Sequence, residues 1–277
     1  MMQIRRFIVG ALCAMMAGVG NAYVIGGPSA LYQPDNFGWT WDGGAFTTPF
    51  RSALENPSNF GPGGVVPYSV QTVNVDMAGP TPFAGLDGFI VPWWSVGQSS
   101  PYHAAVIAFF LGGGDLWLMQ DSSGRDGVGA ALGIPTVGQT AITPVNGIAP
   151  MFVGPFGTAL NVGQGGGEEG FISEADVLAL NGTVVGRNTE SQVIAAFWGA
   201  DQFAVGAGAL VVVADIDMFT TQATFDPVLD DNGIFALNTF AFLSGSTGPI
   251  PEPGTLALLG IGLFGCVVLS RRRNSAA

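Results

Sequence analysis

Lysine is absent from these 277 residues, histidine occurs once and cysteine twice. Charged side chains make up 10% of the chain, against roughly 25% in an ordinary globular protein. All eight basic residues are arginines, and five of them, Arg5, Arg6, Arg271, Arg272 and Arg273, sit at the two ends. Between residues 23 and 250 this leaves Arg51, Arg125 and Arg187 against nineteen acids, a net charge of −16. A surface of that sign repels phosphate backbones and excludes nucleic acid as a partner. Cys13 and Cys266 both fall in apolar terminal runs, so the stretch between them has no disulfide, thiol nucleophile or thiolate metal site. That stretch must be held by packing. With 48% hydrophobic residues and 43 glycines the chain is long enough for one sizeable core and is not a disordered acidic tail.

The ends carry addresses. Met1 to Arg6 is a short basic region, Phe7 to Val19 an apolar core, and Gly20-Asn21-Ala22 supplies the small residues that a signal peptidase reads. Residues 1–22 are therefore expected to be a cleaved leader, with Tyr23 as the new first residue. Its apolar run is shorter than the roughly 20 residues a membrane-spanning helix needs. At the other end Pro251-Glu252-Pro253 precedes an apolar run, Thr255 to Leu269, and then Arg271-Arg272-Arg273. That run makes about 22 Å of helix, close to spanning a bilayer once the arginines snorkel, and the arginines mark the cytoplasmic side.

This order of Ile250-Pro251-Glu252-Pro253-Gly254-Thr255, apolar segment and basic tail resembles the PEP-CTERM sorting signal of exported Gram-negative proteins. The resemblance implies an exosortase, a membrane transpeptidase, as processing partner. It also implies an intermediate anchored in the inner membrane, a final location at the cell surface or in the extracellular matrix, and a host that makes exopolysaccharide. The expected layout is a leader at 1–22, an exported domain at 23–244, a linker at 245–250 and the sorting signal at 251–273.

Within the exported domain, continuous apolar runs of strand length recur at 88–91, 116–119, 193–198 and 209–214. Ser99-Ser100-Pro101 opens a helix over Tyr102 to Leu111, which Gly112-Gly113-Gly114 stops. Gly206-Ala207-Gly208 predicts an antiparallel hairpin between the last two runs. Further expectations are a strand at 37–41, a helix at 47–56, a strand at 70–75, loops and short strands over 127–170, and a final helix from Asp230 to about Leu243. The alternation predicts an α/β fold, a mostly parallel, flavodoxin-like or amidotransferase-like sheet flanked by helices.

The strand–helix–strand stretch from Leu86 to Asp121, with the closing segment from Gly208 to Asp217 and Asp231 to Asn238, is similar to class I glutamine amidotransferase-like domains. Catalytic members carry a Cys on the turn after the strand that here ends at Met119, with a later His and Glu. Here that turn reads Gln120-Asp121-Ser122-Ser123-Gly124 and no His follows it. The resemblance therefore implies a non-catalytic relative. His103, the single histidine, precedes the turn on the helix.

Four aspartates, Asp42, Asp121, Asp215 and Asp217, are expected at the carboxyl ends of strands, where open α/β sheets bind ligands. Together they are candidates for Ca²⁺ or another hard, oxygen-seeking cation, against the plainer reading that they cap turns on an acidic surface. Trp93 and Trp94, with Trp39, Trp41 and Tyr102, are candidates for stacking against sugar faces. The glycine run at 163–167 lacks the lysine of a phosphate loop, and no cofactor is implied. The leading expectation is an exported structural or ligand-binding protein of the envelope or exopolysaccharide matrix. Two alternatives stay open: a hydrolase using the Gln120 to Gly124 turn, and a Ca²⁺-stabilised adhesin.

Overall fold

A computed structural model of the chain describes residues 22–29, 38–92, 100–122, 124, 126–140, 142–165, 169–225 and 228–246. The leader core, Trp93 and Trp94, and the whole sorting tail lie outside these residues. Among the described residues no helix is long and apolar enough to cross a membrane.

The chain enters the sheet at once with β1 (Tyr23–Pro28), then follows α1 (Thr47–Glu55), β2 (Val70–Val75), β3 (Gly88–Val91), α2 (Ser100–Leu111) and β4 (Asp115–Met119). A short helix α3 (Gly127–Ala131) leads to β5 (Thr136–Thr140), β6 (Asn146–Gly147), a small hairpin of β7 (Val153–Gly154) with β8 (Gly157–Thr158), and β9 (Glu169–Ile172). The remainder is α4 (Glu174–Ala179), β10 (Thr183–Arg187), β11 (Val193–Trp198), β12 (Leu210–Val213), a 3₁₀ turn at Asp217–Phe219 and α5 (Asp231–Ser246).

The main sheet runs β2-β1-β3-β4-β12-β11-β10-β6, with β9 on β11 and β5 on β9. From β2 to β12 every pairing is parallel, and from β12 outward every pairing is antiparallel. The parallel part has the flavodoxin-like order 2-1-3-4-5, with β12 in fifth place. The α/β expectation holds, as does the hairpin joining β11 to β12. Strands β3, β4 and β12 are buried along their whole length, which is why they read as unbroken apolar runs.

Layers form on both faces. On one, Trp117 of β4 meets Phe50 of α1 and Phe219 edge-on, and Phe219 stacks on Phe235 of α5. Leu116 and Leu118 alternate to the opposite face, where α2 packs with Val106 and Phe110 fully buried. Phe110 in turn meets Phe203 edge-on.

Two expectations are corrected. The described part of 37–41 is a turn, not a strand. Gly38 has φ +102, and Trp41 lies over β1 so closely that a Cβ on Gly27 would sit 2.3 Å from the indole. The indole N–H donates to the Val73 carbonyl at 2.8 Å and Arg51 covers the ring at 4.8 Å, so Trp41 closes the core instead of pairing in it. The final helix runs on to Ser246, three residues past its expected end, into the stretch read as linker.

Edge strand β2 is blunted rather than left open: the Thr72 backbone N–H donates to the Glu55 carboxylate of α1 at 2.9 Å. At the amino ends of the parallel strands, buried Asp115 joins three of them. It accepts from the Tyr23 hydroxyl of β1 at 2.7 Å and from the Ala209 N–H, just before β12, at 2.9 Å. Burial, then the Asp115 charge, pushes the Tyr23 phenol well above its ordinary pKa, so it stays a donor. Replacing Asp115 by Ala leaves two buried donors unpaired and is expected to cost about 3 kcal/mol in urea unfolding; Tyr23→Phe removes one bond and costs about 1 kcal/mol. Equal losses, or none, would show that Asp115 is not the hub.

Candidate functional site

The carboxyl ends of β4 and β12 lie side by side, and both carry acids. After β12, Asp215 is fully buried; its Oδ1 accepts from the Asp217 N–H at 2.7 Å and its Oδ2 from the Gly165 N–H at 3.1 Å. Asp217 accepts from the Trp39 indole at 3.1 Å and from the Thr221 hydroxyl. Asp121, at the end of β4, is close enough to act electrostatically on Asp215. Burial first, then the charges of Asp217 and Asp121, raise the Asp215 carboxyl well above the ordinary range.

Asp121, Asp215 and Asp217 thus gather as expected, but Asp42 does not join them. It sits in the turn that replaces the anticipated strand and accepts from the Asn74 side chain at 2.6 Å beside β2. Among the described residues no group of three acidic, histidine or cysteine side chains has the geometry of a metal site. Both oxygens of Asp215 and Oδ1 of Asp217 are taken up by N–H and O–H donors.

The glycine run contributes a strap rather than a phosphate cradle. Gly163 donates to Asn232 Oδ1 at 2.8 Å while Asn232 Nδ2 returns a bond to the Gly163 carbonyl at 2.8 Å, and Gly165 reaches Asp215. This ties the segment before β9 to the start of α5 and the end of β12. In sequence Gly165 figures only in the glycine run and Asn232 only in the segment similar to amidotransferase-like domains. Only the long-range pairing, across 69 residues for Asn232, gives them a role.

At the turn after β4, Gln120, Asp121 and Ser122 are all buried. Gln120 lies on Gly129, where a Cβ would come within 1.6 Å of its amide nitrogen, and that nitrogen donates to the Ile134 carbonyl at 3.1 Å. His103 packs against Gly127, where a Cβ would come within 2.3 Å of the imidazole. Gln120, His103, Gly127 and Gly129, with Asp126, Val91, Leu118 and Met119, line a small pocket at the carboxyl ends of β3 and β4. Burial lowers the His103 pKa and raises that of Asp126, whose Oδ2 accepts from the Thr136 N–H at 2.7 Å. Among the described residues no hydrogen bond joins Ser122 to His103 or to a carboxylate.

The aromatic candidates separate. Trp41 and Tyr102 are buried, and Trp39 is half-buried with its ring 4.8 Å from Phe46. These three serve the core, and Trp93 and Trp94 lie outside the described residues. A surface feature with no sequence signal is an open apolar groove of about 330 Å³ between Val65, Pro67, Tyr68, Pro150, Pro155 and Phe242. Its Tyr68 hydroxyl is bonded to Ser244 of α5, and burial pushes that phenol up to about 12.

The family model for the PEP-CTERM protein-sorting motif matches residues 249–273. This identifies the C-terminal signal of an exosortase-processed, exported protein. No curated protein matches the chain. Among solved structures, the mmIFT52 N-terminal domain superposes with a TM-score of 0.52 at 16% identity, over 82% of this chain and 98% of that domain. At that identity the likeness shows the fold alone. The exo-β-1,4-mannosidase Op5Man5 from Opitutaceae bacterium strain TAV5 gives a TM-score of 0.48 at 14% identity, covering 81% of this chain and 36% of the enzyme. A putative ThuA-like protein from Parabacteroides merdae ATCC 43184 gives 0.46 at 9%, covering 84% and 94%.

The buried Asp215 makes stability depend on pH with a definite sign. Its folded-state pKa lies above its unfolded value, so its contribution is full below the ordinary carboxylate range and is lost as pH rises through the raised value. The wild-type urea midpoint is therefore expected to fall more steeply than that of Asp215→Asn as pH rises above the ordinary carboxylate range. Parallel profiles would place the ionisable burden elsewhere.

Proposed function

We propose that the chain is an exported, surface-destined protein whose central domain is a non-catalytic, amidotransferase-like module that serves the cell envelope or exopolysaccharide matrix by structure or by binding. The observation that carries the export reading is the match at residues 249–273. Pro251-Glu252-Pro253 there precede the apolar run and Arg271-Arg272-Arg273 follow it. In this reading a signal peptidase removes residues 1–22. The apolar tail then holds the intermediate in the inner membrane with its arginines on the cytoplasmic side, and an exosortase acts near the Pro-Glu-Pro motif.

Support for a module that does no chemistry comes from the turn after β4, where catalytic members of the resembling family place their nucleophile. Ser122 is buried there, and the neighbouring imidazole is seated on Gly127 rather than on the hydroxyl. A serine nucleophile needs a base within hydrogen-bond reach. The parallel order 2-1-3-4-12 supports the amidotransferase-like reading of the fold, which itself confers no activity. The strongly acidic surface favours neutral glycans over anionic ones as binding partners.

The deciding experiment follows the full chain in a host with and without its exosortase. The expected result is a product shortened at its C-terminus and released from the membrane only when the enzyme is present. Exchanging Pro251-Glu252-Pro253 for alanines should leave the chain membrane-bound. A fluorophosphonate probe should leave Ser122 unlabelled. Labelling abolished by Ser122→Ala would instead establish the hydrolase, and co-sedimentation with host exopolysaccharide, with and without Ca²⁺, tests the binding role.

A further inference from the structure

We infer that the leader must be cut before the domain folds, because folding locks the residue that follows the bond to be cut into an interior strand of the sheet. The inference rests on reading residues 1–22 as a cleaved leader. Hydrolysis there adds the oxygen of one water to the Ala22 carbonyl carbon, breaks the bond to Tyr23, and leaves the Tyr23 nitrogen as a protonated amine.

In the folded domain that nitrogen is the first rung of a ladder: its N–H donates to the Ser69 carbonyl at 2.8 Å. The residue after it is held on the other side, where the Val24 N–H donates to the Asp87 carboxylate at 2.7 Å and its carbonyl accepts from the Asp87 N–H at 2.9 Å. β1 is an interior strand, paired in register with β2 from Tyr23 to Pro28 and with β3 at Ile25 and Gly26. The Tyr23 side chain is fixed as well. Its ring meets Phe240 edge-on at 5.6 Å and lies over Gly88, where a Cβ would come within 2.4 Å of the hydroxyl, and that hydroxyl is bonded to buried Asp115.

A peptidase must take the residues around its bond in an extended form free of other pairing, with the side chain that follows the bond in its own subsite. Tyr23 can offer neither unless β1 leaves the sheet, which requires breaking its pairing with both β2 and β3. No spacer separates the expected cleavage site from the strand, so there is no slack to thread. Cleavage first and folding second avoids the conflict. The new amine then occupies the place of the amide nitrogen, with the Ser69 carbonyl as acceptor, and the mature sheet keeps that bond.

The test uses the full chain with its leader, purified in detergent micelles, and signal peptidase. One sample is folded first; the other is diluted from denaturant directly onto the enzyme. Cleavage at Ala22–Tyr23 is expected to be about a hundredfold or more slower for the folded sample. A six-residue Gly-Ser spacer inserted between Ala22 and Tyr23 should restore rapid cleavage of the folded chain without unfolding it. Equal rates for the two wild-type samples would overturn the inference, as would a spacer variant that stays resistant. Failure to cut the freshly diluted chain would overturn the leader reading beneath it.

Discussion

With no disulfide available to the exported domain, its stability comes from burying both faces of the central parallel strands, and that burial depends on large rings lying directly on bare glycine backbone. Trp41 covers Gly27 of β1, Tyr23 covers Gly88 of β3, and Trp198 covers Gly182 so closely that any Cβ would collide with each ring. The contact is tighter than side chain on side chain permits, and it lets the indole N–H of Trp41 and Trp198 reach the Val73 and Leu180 carbonyls. Part of the glycine excess is therefore a packing device. The Arg187–Glu174 ion pair is exposed and adds little.

Polar groups inside this core act as ties between strands. Asp115 fastens the amino ends of β1, β4 and β12, and Asp215 gathers the strap at Gly165 and the 3₁₀ turn at the carboxyl end of β12. The two aspartates differ in their neighbours. Asp115 is bonded to a phenol that burial keeps protonated, whereas Asp215 faces two further acids whose charge disfavours its own ionisation. The same carboxyl-end geometry that made a cation site plausible has been used to hold backbone N–H groups.

Much of this was legible in sequence where one local signal sufficed. Strands β3, β4 and β11 and helix α2 announce themselves through unbroken apolar runs and a Ser-Pro start with a triple-glycine stop. β1 was missed because Gly26, Gly27 and Pro28 weaken it as a strand on paper, while in the fold those glycines make room for Leu86, Val75 and Trp41. The short α4 was also missed, although Ser173 caps it by accepting from the Asp176 N–H. At the site, the strand-end rule found Asp121, Asp215 and Asp217. It misplaced Asp42 because the alternating Trp39-Thr40-Trp41 pattern reads as a strand. The Gly163–Asn232 tie and the apolar groove on α5 depend on distant segments meeting, which no local pattern encodes.

The last part of the domain to open is its parallel half, with β1 inside it. Native-state hydrogen exchange, resolved by residue, tests this most directly. The ladder amides of β1, β3, β4 and β12 are expected to exchange only with global unfolding, and those of β10, β6 and the β7–β8 hairpin by smaller openings. Fast exchange of Ile25 and Gly27 while β10 and β11 remain protected would contradict it, and would return the weight of the fold to its antiparallel half.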